Sequence, residues 1–566
     1  MDTKPSVHQQ TSTSMFFYLL IAVIAFGIVC VWRIPEFTDV LGWDEGLYMQ
    51  NGLLFTTKLQ KAWGPIYAAW YYFLHFFQSH PLSLYLLNFQ VLTVVPGVLF
   101  YIYWTRLSIR PLYAAVIAMF YIASHINFYS WPKISLFTAT LIALVFVVST
   151  FFKKRIDQII IIAGGVIFAS YMRPELYLAF LLLFVIIITL LFKDILKKIK
   201  VDKITWGLFA LLVVGTMGLQ KWLGNPLFNF EGEGGRAVAA FGQHFAYNYT
   251  IWNDLRPDRW QLHADIIIRE VFGDVENIGE AIKANPDPIY HHFLYNCYHY
   301  LKNLWKFYTD IFLPESIFYL STIPRSIILI GLFLSVLAFR MFNFKQWWST
   351  FKEHTWDWIL LFIVVSPTFI SVIVIFPREH YMVLQVILIL TLILTLSYGF
   401  TGWKGLATSR THLGIISAIV FLLILLAPSA ENRPYFDNFR QPKGNFNVQS
   451  SKVLENFIPL QDTIAISENE GGIISFIPTE LAQHYKWTPA VWKKTNFKHF
   501  ADSLNTQMYY VTPLFLYDDR YLYDEEWQDF LTSYSESGYK KIEIANEWYF
   551  LYDTTAVRYQ PRSIYD

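Results

Sequence analysis

The sequence predicts a polytopic α-helical membrane protein of about eleven transmembrane helices, with a small extracytoplasmic α/β domain at its carboxy-terminal end. Three observations predict it. Of the 566 residues, 55% are hydrophobic and only 15% are charged, against about 25% charged in an ordinary globular chain, so lipid solvates most of the chain. Apolar runs near the roughly 20 residues that cross a bilayer recur along it. After Pro428 that pattern stops, and short β-branched and aromatic runs replace it.

The spans fall near 15–32, 84–104, 111–129, 132–152, 156–172, 175–192, 204–223, 325–341, 357–376, 379–400 and 411–428. Residues 1–14 form a polar cytoplasmic tail. The run Met15–Trp32 reads as an uncleaved first helix, because further spans follow it and a small-residue cleavage site does not. Strict alternation collects the basic loops on one side: Arg106 and Arg110; Lys153, Lys154 and Arg155; Lys193, Lys197, Lys198, Lys200 and Lys203; Arg340, Lys345 and Lys352; Lys404 and Arg410. The positive-inside rule makes that side the cytoplasm.

The membrane domain is therefore expected over 15–428, with outer loops at 33–83 and 224–320. Within the first loop, Gly64-Pro65 opens an aromatic stretch, Ala68–Phe77, that reads as a helix lying in the interface. Residues 429–566 form the outer domain, with strands expected at 463–466, 508–511, 541–544 and 548–551 and helices near 450–458 and 525–536. The expected location is the inner (plasma) membrane, with the working face and the carboxy terminus extracytoplasmic.

Composition also narrows the partners. A net charge of +1 gives no reason to invoke nucleic acid. Cys30 lies in a span and Cys297 in a polar loop, so no disulfide joins them. No Cys/His cluster has zinc spacing; no cofactor and no metal dependence are expected, with a divalent metal as the open alternative. The adjacent His291 and His292 are a weak metal signal, and Asn248-Tyr249-Thr250 is a glycosylation triplet short enough to arise by chance.

Ionisable residues beside apolar spans are costly and mark function by default. Asp44 and Glu45 follow the first span, in a turn shaped by Gly42, Trp43, Gly46 and Tyr48. A carboxylate there suits a general base. Arg173-Pro174-Glu175 sits between two spans, with a self-paired turn as its plain alternative. Arg378-Glu379-His380-Tyr381 joins two spans on the outer side, where the positive-inside bias would not place an arginine. Arg and His together suit a phosphate head group, and interfacial anchoring is the alternative. Lys133 and Lys61 are phosphate contacts or snorkelling lysines. His244 lies in the second outer loop.

An acidic pair after the first helix, an interfacial aromatic helix opened by Gly-Pro, and a late outer Arg loop together resemble the GT-C glycosyltransferases. The similarity is to the bacterial protein-mannosyltransferase-like and aminoarabinose-transferase-like branches, over about residues 15–400. The resemblance implies inverting transfer of a sugar from a polyprenyl-phosphate donor, in the presence of membrane lipids, to a protein, lipid or glycan acceptor. It matches Asp44 to the family's catalytic acidic residue and Glu45 to the second member of that pair. It also matches Arg378 and Tyr381 to a pair near the donor phosphate, and Arg173, Glu175 and Lys61 to family positions. On the residues' own reading His380, Arg173, Lys133 and Lys61 are further donor-phosphate contacts, with Trp43, Tyr48, Glu175 and His244 as acceptor or loop contacts. Rival readings are a polysaccharide ligase or polymerase using a pyrophosphate-linked donor, a transporter, and a membrane-anchored receptor.

Overall fold

Lipid offers no partner to a backbone N–H or C=O, so an apolar run long enough to enter it folds as a helix. In a computed structural model the chain is mostly helical and carries a small sheet near its carboxy-terminal end. The structure describes residues 7–37, 39–40, 43–61, 64–128, 132–197, 201–227, 235–254, 260–275, 277–318, 320–338, 342–399, 410–427, 446–460, 464–468, 482–484, 496–517 and 519–560. The expected boundary at 428/429 and the loop residues Gly42, Lys198, Lys200, Arg340 and Lys404 lie outside them.

A helix meets each of the eleven apolar segments. The first is α1 (Val7–Val31); α2 (Trp43–Leu53) and α3 (Pro65–His75) follow between it and α4 (Pro81–Arg106). Then come α5 (Pro111–Ala123), the single turn α6 (His125–Phe128), α7 (Ile134–Ser149), α8 (Arg155–Ser170), α9 (Leu176–Leu196) and α10 (Lys203–Leu223). Among the described residues six helical segments are long and apolar enough to cross a membrane: Ser14–Val31, Pro81–Arg106, Leu176–Leu196, Lys203–Leu223, Thr355–Val374 and Glu379–Gly399. The segment expected at 111–129 breaks at Ser124, whose backbone is extended, and so divides into α5 and α6.

The region expected as the second outer loop is helical too: α11 (Gly235–Trp252), α12 (Trp260–Phe272), α13 (Ile278–Ala284) and the 27-residue α14 (Pro286–Phe312). Phe241, Phe245, Ala264, Ile267, Phe272, Ala281 and Ile289 form its core. Asn248 of the glycosylation triplet is fully buried there, donating to Asn296 Oδ1 at 2.9 Å. A glycan has no access to it. The helices α15 (Thr322–Ala338), α16 (Phe344–Glu353), α17 (Thr355–Val374), α18 (Val383–Leu394) and α19 (Arg410–Leu425) complete the series.

The chain divides into two units. One comprises residues 1–33, 60–67 and 89–433; the other comprises 34–59, 68–88 and 434–566. The second is thus larger than the stretch 429–566. It contains α20 (Phe446–Leu454), the short strand β1 (Phe457–Pro459) and a five-stranded sheet of order β3-β2-β4-β6-β5, with β2 (Ile464–Glu468), β3 (Ala482–His484), β4 (Met508–Val511), β5 (Tyr539–Ala545) and β6 (Trp548–Asp553). Strand β2 runs parallel to β3 and β4, and β6 antiparallel to β4 and β5. Successive side chains of a strand face opposite ways. Hence Met508 and Tyr510 join Phe550 on one side, whereas Tyr509 and Val511 join Trp527, Phe530 and Leu551 on the other.

The first helical N–H groups of α20 need acceptors from outside the helix. Asp39, far away in sequence, supplies them: Oδ2 accepts from Asn447 N at 3.2 Å and Oδ1 from Val448 N at 3.0 Å, while Asn447 Nδ2 adds a third bond at 3.1 Å. His80 Nε2 and Glu455 Oε1, 2.9 Å apart, make a second tie within the same unit. Burial raises the Asp39 carboxyl from an ordinary 3.8 to about 6, and the hydrogen bonds from Asn447, Val448 and Val40 pull the other way.

Two consequences follow for α20. Asp39→Ala removes a cap and should weaken the helix by about 0.5–2 kcal/mol, seen as faster amide exchange at residues 447–449 once intrinsic rates are corrected. Between pH 3.8 and about 6 the folded chain keeps a proton that the unfolded chain has released. Stability tied to this carboxyl is therefore full below that window and falls as pH rises through it. In Asp39→Asn, which does not titrate, that fall should vanish; an unchanged pH profile would assign it to other groups.

Candidate functional site

In the second unit, α2 opens with Asp44 and Glu45 in its first turn, where the helix dipole favours negative charge. Asp44 is half-buried and Glu45 is 1% exposed. Glu45 Oε1 accepts from Tyr71 Oη at 2.5 Å and from Asn88 Nδ2 at 3.1 Å. Trp70 Nε1 donates to Asn88 Oδ1 at 2.8 Å, which fixes the amide. A Cβ at Gly52 would lie 2.4 Å from the Tyr71 Cβ and 2.8 Å from the Ala68 carbonyl oxygen. Glycine there lets α2 and α3 touch, which brings Tyr71 to Glu45. Tyr48 is buried on the same helix. The side chain of Trp43 lies outside the description.

In the first unit, three expected segments converge on Tyr381. The chain leaves α17 at Val374, runs extended through Arg378, and makes a 3-10 turn over Glu379–Met382. The Arg173 guanidinium lies 5.0 Å from the centre of the Tyr381 ring. The imidazole of His244 meets the ring edge-on at 5.9 Å, and that of His380 lies 4.0 Å away. Arg173 donates to Glu175 Oε1 from Nε at 2.7 Å and from Nη2 at 2.5 Å, and to Ser135 Oγ from Nη1 at 3.2 Å. Both arginine charges act on His380. Burial, with help from Arg378 and His292, holds His244 well below the usual imidazole range, so it is neutral at physiological pH. Its Nδ1 is buried without a hydrogen-bond partner.

Neighbouring groups hold this cluster in place. Glu379 meets His125 Nδ1 at 3.2 Å and Lys306 Nζ at 3.9 Å. Three side chains of α14 take carbonyls ahead of Arg378: Asn296 Nδ2 donates to Ile373 O at 2.8 Å, His292 Nε2 lies 2.9 Å from Val374 O, and Asn303 Nδ2 donates to Pro377 O at 3.0 Å. Arg325, fully buried, bonds Asp310 and Glu315 at 2.8 Å each.

Arg173, Glu175, His244, Arg378, His380 and Tyr381 are thus brought together. Two lysines are placed differently. Lys133, 1% exposed, donates to the carbonyls of Asn127 and Phe128 at 3.0 and 2.7 Å and lies 4.1 Å from the Phe89 ring centre. Lys61 is exposed in a turn. Among the described residues no group of three or more His, Cys, Asp and Glu side chains could hold a metal ion. Sequence reasoning missed Tyr71, Asn88, His125 and Ser135. Asn88 and His125 carried a signal, being polar residues inside apolar runs.

No family model matches the chain, and no curated protein matches it.

Glu45 serves as a buried acceptor for two donors. Glu45→Gln keeps an oxygen at that place and should leave the fold near wild type. Glu45→Ala removes the charged acceptor shared by Tyr71 Oη and Asn88 Nδ2, which keep their own 2.8 Å bond, at about 1.5–3 kcal/mol. Thermal unfolding in detergent reads the difference, and equal loss in both variants would mean that the charge itself is required.

Proposed function

We propose that the chain is a GT-C-like membrane glycosyltransferase that moves a sugar from a polyprenyl-phosphate donor to an acceptor hydroxyl, with inversion at the anomeric carbon. The observation that carries this reading is the grouping of Arg173, Arg378, His244 and His380 around Tyr381. Cationic and imidazole donors gathered at the end of an apolar helix suit an anionic head group whose tail remains in lipid. In this reading the eleven helical segments all cross the bilayer, the amino terminus is cytoplasmic, and the site and the 429–566 region face outwards at the plasma membrane.

The chemistry balances without a covalent intermediate. The acceptor oxygen bonds to the anomeric carbon as that carbon's bond to the phosphate oxygen breaks. The hydroxyl proton passes to the Asp44 carboxylate, and the polyprenyl phosphate leaves with the bonding pair. Its developing charge falls to Arg378 and to Arg173, whose charge Glu175 partly offsets. A phosphate leaving group needs no general acid. The unpartnered imidazole nitrogen of His244 is suited to a sugar hydroxyl or a phosphate oxygen.

Arg378→Ala should weaken donor binding by about 10- to 100-fold, the worth of a charge-assisted bond. Arg378→Lys should weaken it less, since lysine keeps the charge but not the two-pronged geometry. Wild-type affinity in a folded Arg378→Ala protein would make the residue an interfacial anchor.

Asp44→Asn should lower turnover by about 10²–10⁴-fold at saturating donor and leave donor binding nearly intact. Full turnover removes the base assignment, and lost donor binding instead makes Asp44 a donor-site residue. Turnover only with a pyrophosphate-linked sugar would assign the chain as a ligase or polymerase.

A further inference from the structure

We infer that α14 is a membrane-seated helix, bedded in bilayer lipid along one face while its opposite face holds the Arg378 loop. Its two faces are inverted relative to a helix on a water-soluble surface. Tyr290, Leu294, Tyr298, Leu301 and Trp305 are exposed by 66, 51, 61, 64 and 49%. Their spacing of three and four residues sets them in one stripe. On the other side, at about half a turn, lie Ile289, His292, Asn296, Phe307 and Asp310, all buried. Asn303 shares that side and bonds the Pro377 carbonyl.

An inward face that carries His292, Asn296, Asn303 and Asp310, set against an outward stripe that is apolar from Tyr290 to Trp305, is the arrangement that lipid selects. The stripe is also rich in Tyr and Trp, which settle at the bilayer interface.

The occupant is lipid because the stripe runs into other lipid-facing surface. Helix α14 packs along α15 and along α17, the latter long and apolar enough to cross a membrane. Trp305 Nε1 donates to Ser326 Oγ of α15 at 3.1 Å, and Ile323 and Ile327 beside that serine are 74% and 66% exposed. The helix escapes a search for spans because its inward face is polar. The bilayer that seats α14 thereby seats residues 373–377 and, next in the chain, Arg378.

The test needs no turnover, so it stands apart from the proposed reaction. Leu294→Cys, Tyr298→Cys and Leu301→Cys are made singly in a Cys297→Ser background, with buried Cys30 left in place. Tyr523→Cys, at a site 77% exposed in the other unit, is the water reference, and Ile188→Cys on α9 is the lipid reference. Each protein is nitroxide-labelled in phosphatidylcholine–phosphatidylglycerol nanodiscs, and collision with oxygen is compared with collision with a nickel chelate. Labels on α14 should prefer oxygen, as at position 188. Preference for nickel, as at position 523, would put the stripe in water and overturn the inference. Shielding from both reagents would mean that protein covers it and would overturn it equally. Three positions guard against one variant that fails to fold.

Discussion

Every helix leaves four N–H groups at one end and four carbonyls at the other without partners, and near lipid water cannot be relied on to meet them. Much of this molecule is organised by how those ends are met. Side chains from elsewhere in the chain take the load: His292, Asn296 and Asn303 at the end of α17, Lys133 at the end of α6, and Asp39 at the start of α20. Gln90 does the same for the Val31 carbonyl at the end of α1. Of the residues proposed for function, Arg378, His380 and Tyr381 follow directly on one such end, that of α17.

The Arg378 turn shows how this works. Helix α17 runs through Pro367 but ends at Val374, where Pro377 has no N–H to offer the Ile373 carbonyl four residues back. Its last carbonyls would be stranded if α14 did not reach them. Once they are held, the extended link to Arg378 is short, and the 3-10 turn that follows presents His380 and Tyr381 beside Arg173 and His244. In the other unit, Glu45 fastens the start of α2 through Tyr71 and Asn88, and Asp44 is its neighbour in the same turn. Rigid support under one carboxylate suits a base in the next position.

Helical runs and the sheet strands were legible in the sequence because each depends on local pattern, hydropathy for helices and alternation for strands; charge at a span end singled out 173–175 and 378–381 as candidates, but no local pattern shows that they meet. Lys133 was legible as a residue but not in its role, since the carbonyls of Asn127 and Phe128 that it takes are invisible in a sequence. Helix α14 looks like polar loop in the sequence because its apolar stripe and polar face average out. Asp39 and Asn447 lie 408 residues apart, and no periodicity joins them. The Tyr71–Glu45 bond depends on the close approach that Gly52 permits, which is a matter of packing.

The proposed transfer is a single displacement, so it fixes the stereochemistry of the product. The most direct measurement is the anomeric configuration of the product made by the purified full chain from a polyprenyl-phosphate sugar of known configuration, read from the anomeric proton coupling. Inversion is the expected result, with no product from Asp44→Asn on the same timescale. Retention of configuration would require two displacements or attack from the leaving-group face and would contradict back-side attack by an acceptor hydroxyl deprotonated by Asp44.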